Sequence, residues 1–331
     1  MKKKLFLHIG TNKTGTSAIQ RFCNENREKL KSHGVLYPIA GCSGEAHYSL
    51  SHALGFALRR AEYLEREAAE TASIAKALAH EVAASRARTV LISCENFVLP
   101  RPLAPVKQFF DQFDVKIVLY LRRHDHWWES VYNQAVKTVT APPWGQSFGA
   151  YLRFQKQKNP TFGNYRHLLD RWAQTFGKEN ILVRPYERSQ NAPDIVYDLF
   201  RTIGLESVVK QSERRSERIN ESIPHLALRL IDLYQRLDVD PDVRARLIQH
   251  AMQLPPDNPR VSVVRPALRR HLVDKNMADY EYIAREYLGR SDGMLFYEPL
   301  PDPAEPWKKP PAPDPVKLVE ETVKALVDKA P

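Results

Sequence analysis

The sequence has few cysteines and no long hydrophobic run. Its three cysteines, Cys23, Cys42 and Cys94, form no C-x-x-C pair and are odd in number, which argues against a disulfide framework and against a zinc site. The apolar run after the basic start ends at Gly10 and is too short for the hydrophobic region of a signal peptide. The other apolar runs, such as Ile117–Leu121, have the length of strands. We therefore expect no transmembrane segment, no metal, and a location in the cytoplasm or at most on a membrane surface.

The composition is that of an ordinary globular protein with an excess of positive charge. Of 331 residues, 43% are hydrophobic and 27% are charged, which suits one large α/β domain with additions or two domains. The net charge of +10 favours anionic partners, and basic residues are densest at Arg214, Arg215 and Arg218. Most of the basic residues are expected to form a solvated surface. Because the sequence has no zinc-finger or RNP motif, we expect no nucleic-acid partner.

Short apolar runs of strand length recur between longer helical patterns. The predicted strands are Lys4–Ile9, Thr89–Ser93, Lys116–Leu121 and Ile181–Arg184. Helical spacing predicts helices over Thr16–Ser32, Glu45–Arg86 in two or more pieces, His126–Lys137, Ser147–Gln157, Tyr165–Phe176 and Ala192–Gly204. This alternation predicts an α/β fold with a mostly parallel central sheet and helices on both faces. In such sheets ligands bind at the carboxyl ends of the strands.

The last third of the chain has a different pattern. Residues 1–207 form the predicted α/β core, and 208–298 are a helical C-terminal part of the same domain, with apolar spacing over 223–237, 243–254 and 263–288. This part has no recognisable motif apart from a polar turn, RINES at 218–222, that could approach a cofactor. Residues 299–315 are a proline-rich linker. Residues 316–331 are a terminal amphipathic helix that docks on the body or on a partner, with Val316, Val319, Val323, Leu326 and Val327 at helical spacing.

The turn after the first predicted strand has the features of an anion site. In the segment LFLHIGTNKTGTSAIQ, Leu5–Gln20, an apolar strand ends at Gly10, a turn rich in Gly, Lys and Thr follows, and a helical pattern begins. The first amides of such a helix have no intrahelical partner and point into the turn. The helix dipole adds positive charge at the same place.

The position of the lysine distinguishes this turn from a Walker A loop. Gly10 and Gly15 have the G-x-x-x-x-G separation, but Thr16 stands where a Walker A loop has its lysine, and the lysine lies inside the turn at Lys13. The turn keeps a phosphate-binding backbone and loses the lysine that reaches the β- and γ-phosphates. It therefore suits a single phosphate-like group with a transferable group attached better than a triphosphate with its metal.

An arginine and a serine follow the third predicted strand. Arg122 lies at the carboxyl end of that strand, and Ser130 comes eight residues later on the next helix. A guanidinium at a strand end and a hydroxyl about two helical turns in can converge on one anion. Alternatively, Arg122 or Arg123 pairs with Glu129 or Asp125, and Ser130 is an ordinary exposed residue.

Other candidate site residues lie at strand ends and in one small-residue loop. Glu95 directly follows the strand that ends at Ser93 and could act as a general base, or it could cap the following turn. Glu45, His47 and His52 lie in and after a Gly-rich loop and are rival bases or substrate contacts. Tyr186 follows the last predicted strand, where its ring could stack on a planar base or pack under the sheet edge.

The order of these features resembles the sulfotransferase family that uses 3′-phosphoadenosine 5′-phosphosulfate (PAPS). HIGTNKTGTSAIQ resembles the family's 5′-phosphosulfate loop, YLRRHDHWWES its 3′-phosphate segment, and RPYER the segment whose tyrosine borders the adenine. The resemblance covers Leu5–Arg188, and bacterial carbohydrate sulfotransferases are the most similar members. It implies a P-loop-like three-layer α/β fold.

The resemblance implies roles for residues of the turn. Lys13 would contact the bridging oxygen and the sulfonate as the leaving group departs. The backbone amides of Gly15, Thr16 and Ser17, with the hydroxyls of the last two and with Thr14 beside them, would hold the 5′-phosphate.

It also implies roles for the other candidates. Arg122 and Ser130 would bind the 3′-phosphate, and Tyr186 would line the adenine pocket. The base would be Glu95, which stands at the strand end where many members have theirs, or Glu45, which has the earlier placement of others. Glu95 is preferred over Glu45.

The resulting hypothesis is an enzyme that transfers the sulfonate of PAPS to a hydroxyl by in-line displacement, without a metal. The acceptor would be a carbohydrate or a glycosylated molecule, and Trp127, Trp128 and Trp144 lie where it could enter unless they are core residues. A first alternative is a P-loop kinase or NTPase with a displaced lysine, although a convincing Walker B aspartate is missing. A second is a non-catalytic protein that binds a nucleotide or polyanion. The oligomeric state stays open.

Overall fold

The computed structural model of the chain describes residues 2–56, 67–210, 224–255, 262–307 and 314–327. The basic run at Arg214, Arg215 and Arg218, the RINES turn and parts of the predicted helices, linker and terminal segment lie outside these residues. Among the helices in the described ranges, none is long and apolar enough to cross a membrane.

A sheet of five parallel strands forms the centre of the fold. The strands are β1 Lys4–Gly10, β2 Val35–Leu36, β3 Thr89–Ser93, β4 Asp114–Leu121 and β5 Ile181–Pro185, in the spatial order β2-β3-β1-β4-β5. β1 and β3 are buried on both faces, which explains their nearly continuous apolar sequence. The predicted α/β fold with a parallel central sheet is confirmed. The carboxyl ends of β1, β3, β4 and β5 meet at one edge of this sheet.

Fifteen helices lie in the described parts of the chain. They are α1 Thr16–Glu25, α2 Arg27–Ser32, α3 Tyr48–Ala53, α4 Glu67–Ala84, α5 Ala104–Phe109, α6 His124–Thr138, α7 Phe148–Lys158, α8 Tyr165–Phe176, α9 Ile195–Thr202, α10 Glu206–Lys210, α11 His225–Arg236, α12 Pro241–Met252, α13 Pro266–Asp274, α14 Met277–Leu288 and α15 Pro315–Val327. α1 and α9 share a core with the sheet, where Phe22 and Phe200 meet edge to face at 5.7 Å. α8 packs against β4 and β5. Helices of this kind cover the apolar faces of the sheet.

Asparagines divide two stretches that the sequence predicts as single helices. Asn26 ends α1, and its side-chain amide donates to the carbonyl of Phe22 at 2.8 Å. Asn276 separates α13 from α14 and donates in the same way to the carbonyl of Leu272 at 2.7 Å. A side-chain amide that bonds a carbonyl of the last turn competes with continuation of the helix, so each helix ends there although the apolar spacing continues.

The chain divides into two compact units. The first comprises Met1–Arg123, Asn164–Ile219 and Ala278–Glu298 and contains the sheet. The second comprises His124–Gly163, Asn220–Met277 and Pro299–Pro331 and contains α6, α7, α11, α12, α13 and α15. The predicted division at residues 207, 298 and 315 stays a prediction.

Aromatic residues form the core of the second unit. Trp127, Trp128 and Trp144 are all buried, with the rings of Trp127 and Trp128 at 5.0 Å and those of Trp144 and Tyr151 also at 5.0 Å. The three tryptophans are therefore packing residues, which is the second of the two interpretations that the sequence allows.

α15 packs within the second unit through residues other than its valines. Ala325 belongs to the apolar core of that unit and Leu318 packs against it. The carboxylate of Glu321 accepts a hydrogen bond from Nε2 of His250 at 2.9 Å. Val316, Val319 and Val323 are more than half exposed, so the helix predicted at this end of the chain presents these valines outward.

Candidate functional site

The turn between β1 and α1 is held in place by its own hydroxyl groups and by β4. The backbone N–H and the hydroxyl of Thr11 both donate to the carbonyl of Tyr120, at 3.1 and 3.0 Å. The hydroxyls of Thr14 and Thr16 donate in turn to the carbonyl of Thr11, at 2.5 and 3.3 Å. Because Thr14 and Thr16 are buried, their hydroxyls maintain the shape of the turn. The exposed hydroxyl at the start of α1 is that of Ser17.

Left-handed backbone at two positions gives the turn its course. Lys13 has φ +67° and is half-buried, and Gly15, the N-cap of α1, has φ +80°. A Cβ at Gly15 would lie 3.1 Å from Cε2 of Tyr186 and 3.2 Å from the side chain of Ile195. Only glycine combines this φ with so close an approach. The turn therefore lies directly against the ring of Tyr186.

Arg122 connects the turn to the end of β4. Its Nη1 donates to the carbonyl of Lys13 at 3.1 Å, and its guanidinium carbon lies 5.5 Å from the ring centre of Tyr186. Its own carbonyl accepts a bond from the hydroxyl of Tyr165 at 2.7 Å. Within the described ranges Arg122 makes no ion pair with a carboxylate, whereas Glu129 pairs with Arg269 at 2.6 Å. No carboxylate of the described residues therefore neutralises this guanidinium.

Glu95 lies beside the first glycine of the turn. It directly follows Cys94 at the end of β3 and begins a short 3-10 helix, Glu95–Val98. A Cβ at Gly10 would lie 3.1 Å from the Cβ of Glu95. The carboxylate accepts hydrogen bonds from Nε2 of Gln20 at 3.0 Å and from the hydroxyl of Tyr48. Two hydrogen bonds therefore fix the half-buried carboxylate of Glu95, which lies at the same edge of the sheet as Lys13.

The other candidate bases, Glu45, His47 and His52, lie in environments that differ from that of Glu95. Glu45 pairs with Nε of Arg21 at 3.3 Å, with both side chains well exposed. His47 is fully buried, and its nitrogens face the backbone of Pro38 and Ser93. Burial lowers the pKa of His47 to about 4, so this imidazole is neutral and structural. His52 is half-buried, with Nε2 3.2 Å from the side-chain amide of Asn96.

Ser130 and Arg122 belong to different units. Arg122 lies near the end of the first segment of the first unit, and Ser130 lies half-buried on α6 in the second. Their convergence on one anion stays a prediction.

A buried polar network below Glu95 was missed from the sequence. Gln20 donates to Oγ of Ser93 at 3.2 Å as well as to Glu95, and Nδ1 of His8 lies 2.8 Å from the same oxygen. Burial lowers the pKa of His8 to about 4. The available signal is that His8 interrupts an apolar strand and Gln20 occupies a buried position on α1. Neither can be recognised from the sequence, because a single polar residue does not change the prediction of an apolar strand or an amphipathic helix.

The first unit therefore brings five of the predicted site residues to one edge of the sheet. Gly15 and the backbone of Lys13 contact Tyr186 and Arg122, and Glu95 borders Gly10 at the other end of the turn. Such an edge offers cations, helix amides and one carboxylate to a single ligand. The described residues contain no cluster of His, Cys, Asp and Glu that could hold a metal ion.

Comparison with known proteins gives distant similarities. No protein-family model matches the chain. An uncharacterized protein of Archaeoglobus fulgidus is 28% identical over 191 residues, which are 55% of this chain. The match spans about half of that relative, 48% of its length. The crystal structure of a sulfotransferase from Alicyclobacillus acidocaldarius aligns over 76% of this chain and 91% of its own, with 17% identity and a TM-score of 0.42.

Proposed function

We propose that this chain is a sulfotransferase that transfers the sulfonate of PAPS to a hydroxyl group of an acceptor. The observation that supports the proposal is the turn with its lysine inside, fixed between Arg122, Tyr186 and Glu95. A Walker-type NTPase would need a lysine at position 16 for the β- and γ-phosphates, and a buried threonine stands there.

The start of α1 would hold the 5′-phosphate. The backbone amides of Gly15, Thr16 and Ser17 are the first of the helix, and no acidic residue lies in its first turn. Such amides bind anions because they lack intrahelical partners and carry the positive end of the helix dipole. Thr14 would support this phosphate site through the shape of the turn.

Lys13 would act at the reacting centre. In the transfer, the bond between sulfur and the bridging phosphate oxygen breaks, and a bond from sulfur to the acceptor oxygen forms. Negative charge grows on the bridging oxygen, which leaves with the 3′,5′-bisphosphate. A cation fixed near that oxygen stabilises the transition state more than the ground state. Lysine inside the turn has the position for this role.

The other end of the nucleotide would lie along β4 and β5. Arg122 would contact the 3′-phosphate, with Ser130 as its partner, and Tyr186 would border the adenine. A guanidinium binds a phosphate through two parallel hydrogen bonds, so its contribution is mainly to affinity.

Glu95 would take the proton of the acceptor hydroxyl. It is adjacent to Gly10, and each of its carboxylate oxygens accepts one hydrogen bond, which leaves a lone pair for the incoming hydroxyl. Glu45 is the second choice because it pairs with the exposed Arg21. The acceptor class that we propose is a carbohydrate or a glycosylated molecule.

Nucleotide binding and group transfer test this function separately. Purified protein is passed over immobilised adenosine 3′,5′-bisphosphate without magnesium and challenged with ATP, and transfer of radiolabelled sulfonate from PAPS is measured on a panel of glycans, phenols and lipids. We expect retention that ATP does not reverse, and transfer to at least one hydroxyl acceptor. Release by ATP would favour the kinase or NTPase alternative, and retention without any transfer the non-catalytic one.

Substitution of the lysine tests its role. Lys13→Ala is expected to reduce kcat by about a hundredfold or more, because the lost charge acts on the leaving group. Lys31→Ala, on the exposed surface of α2, is the matched control and should retain full turnover. Undiminished turnover in Lys13→Ala would refute the assignment.

A further inference from the structure

Two neutral donors hold Glu95, one on each carboxylate oxygen. The side-chain amide of Gln20 on α1 donates to Oε2, and the hydroxyl of Tyr48 at the start of α3 donates to Oε1. Because the donors come from two separate helices, they fix the plane of the carboxylate.

Gln20 is itself fixed from behind. Its amide nitrogen uses its second hydrogen on Oγ of Ser93, at 3.2 Å, and Ser93 lies 2.8 Å from Nδ1 of His8. Gln20 is 4% exposed, and Ser93 and His8 are fully buried. A row of hydrogen-bonded side chains, His8, Ser93 and Gln20, therefore runs from the core of the sheet to Glu95.

The position of this row of hydrogen bonds indicates that it has a functional role at the site. A buried polar group has an unfavourable free energy of transfer unless it is bonded, and an apolar side chain at position 20 would fill the same space without that need. The bonded groups instead end on the one carboxylate that borders the turn.

We propose that Gln20 and Tyr48 are positioning residues for the general base, which orient Glu95 toward the acceptor hydroxyl. The inference rests on the proposed function. Neither residue is a catalytic residue, since each acts through Glu95.

The test is the kinetics of sulfonate transfer in Gln20→Leu and Tyr48→Phe, each made in the wild type and in Glu95→Gln. In the wild type, loss of one donor is expected to lower kcat by about tenfold, because the carboxylate is no longer held in one orientation. KM for PAPS should stay within about twofold, because neither side chain belongs to the nucleotide site. In Glu95→Gln, which has already lost the base, the same substitutions should cause no further loss of turnover. Ser93→Ala keeps the bond from Gln20 to Glu95 and should retain most of the turnover.

Several results would overturn the inference. An equal loss of turnover in the wild type and in Glu95→Gln would assign Gln20 and Tyr48 a structural role only. Undiminished kcat in both single variants would remove any role in positioning. Tyr48→Phe removes a single oxygen from a half-buried ring, so it decides the question where Gln20→Leu fails to fold. A wild-type protein that binds the bisphosphate but transfers to no acceptor would overturn the proposed function, and this inference with it.

Discussion

Acidification from about pH 8 to about pH 5 is expected to destabilise the folded chain, because three histidines are buried without charge. His8, His47 and His124 are each at most 1% exposed. Burial lowers the pKa of each imidazole from 6.5 to about 4, and hydrogen bonds from His47 and His124 to backbone groups counter this only in part. As the pH falls, each of the three imidazoles is therefore protonated at a higher pH in the unfolded chain than in the folded chain.

The size of the effect follows from proton linkage. Between the two pKa values the unfolded chain binds more protons than the folded chain, so the free energy of unfolding falls as the pH falls from about 6.5 toward about 4. At pH 5 an unfolded imidazole is about 97% protonated and a buried one about 10%. The loss is about 2 kcal/mol for each histidine and about 6 kcal/mol for all three. Whole domains have about 5–15 kcal/mol of stability.

Urea unfolding followed by circular dichroism between pH 5 and 8 measures this loss. The slope near pH 5 should correspond to an uptake of about 2.6 protons on unfolding. His47→Gln in the first unit and His124→Gln in the second should each lower that uptake by about one proton. The exposed His80, replaced by glutamine, is the control. An uptake of less than about one proton by the wild type would refute the reasoning.

Three further substitutions test the site and the core. Gly15→Ala places a methyl group 3.1 Å from the ring of Tyr186 at a positive φ, so calorimetry should show affinity for adenosine 3′,5′-bisphosphate falling about tenfold or more. Arg122→Ala should weaken the same affinity by about tenfold or more while kcat changes less, and an unchanged affinity would move the phosphate contact to another residue. Asp198→Ala leaves Arg184, now bonded to that fully buried carboxylate at 2.5 and 3.0 Å, without its partner. It should lower the free energy of unfolding in urea by about 3 kcal/mol, and a loss of a few tenths would contradict the ion pair's importance.

The sheet could be predicted because most of its strands are long apolar runs. β3 has the predicted bounds, and β1, β4 and β5 differ by one or two residues at an end. β2 is two residues long, Val35–Leu36, and no periodicity can be read from two residues. The helix breaks at Asn26 and Asn276 were missed because a side-chain cap is a local hydrogen bond and leaves the apolar spacing unchanged.

Part of the candidate site could likewise be predicted from the sequence, and part of it could not. Lys13, Arg122 and Tyr186 could be placed together because each follows a strand and parallel strands end at one edge. The pairing of Gln20 with Ser93 depends on β3 lying next to β1, a contact between residues 73 apart in sequence. Local patterns do not specify such a contact, so the sequence assigns no role to Gln20.

The attachment of the turn to β4 has a consequence for ligand choice. The carbonyl of Tyr120 holds both donors of Thr11, and two residues later Arg122 holds the carbonyl of Lys13. One strand end therefore sets the spacing between the helix amides and the guanidinium. Under the proposed function, this spacing fixes the distance between the two phosphate groups that the site can bind at once. The site would then select a nucleotide that carries both a 5′-phosphate and a 3′-phosphate at that distance, and ATP, which has no 3′-phosphate, would not satisfy it.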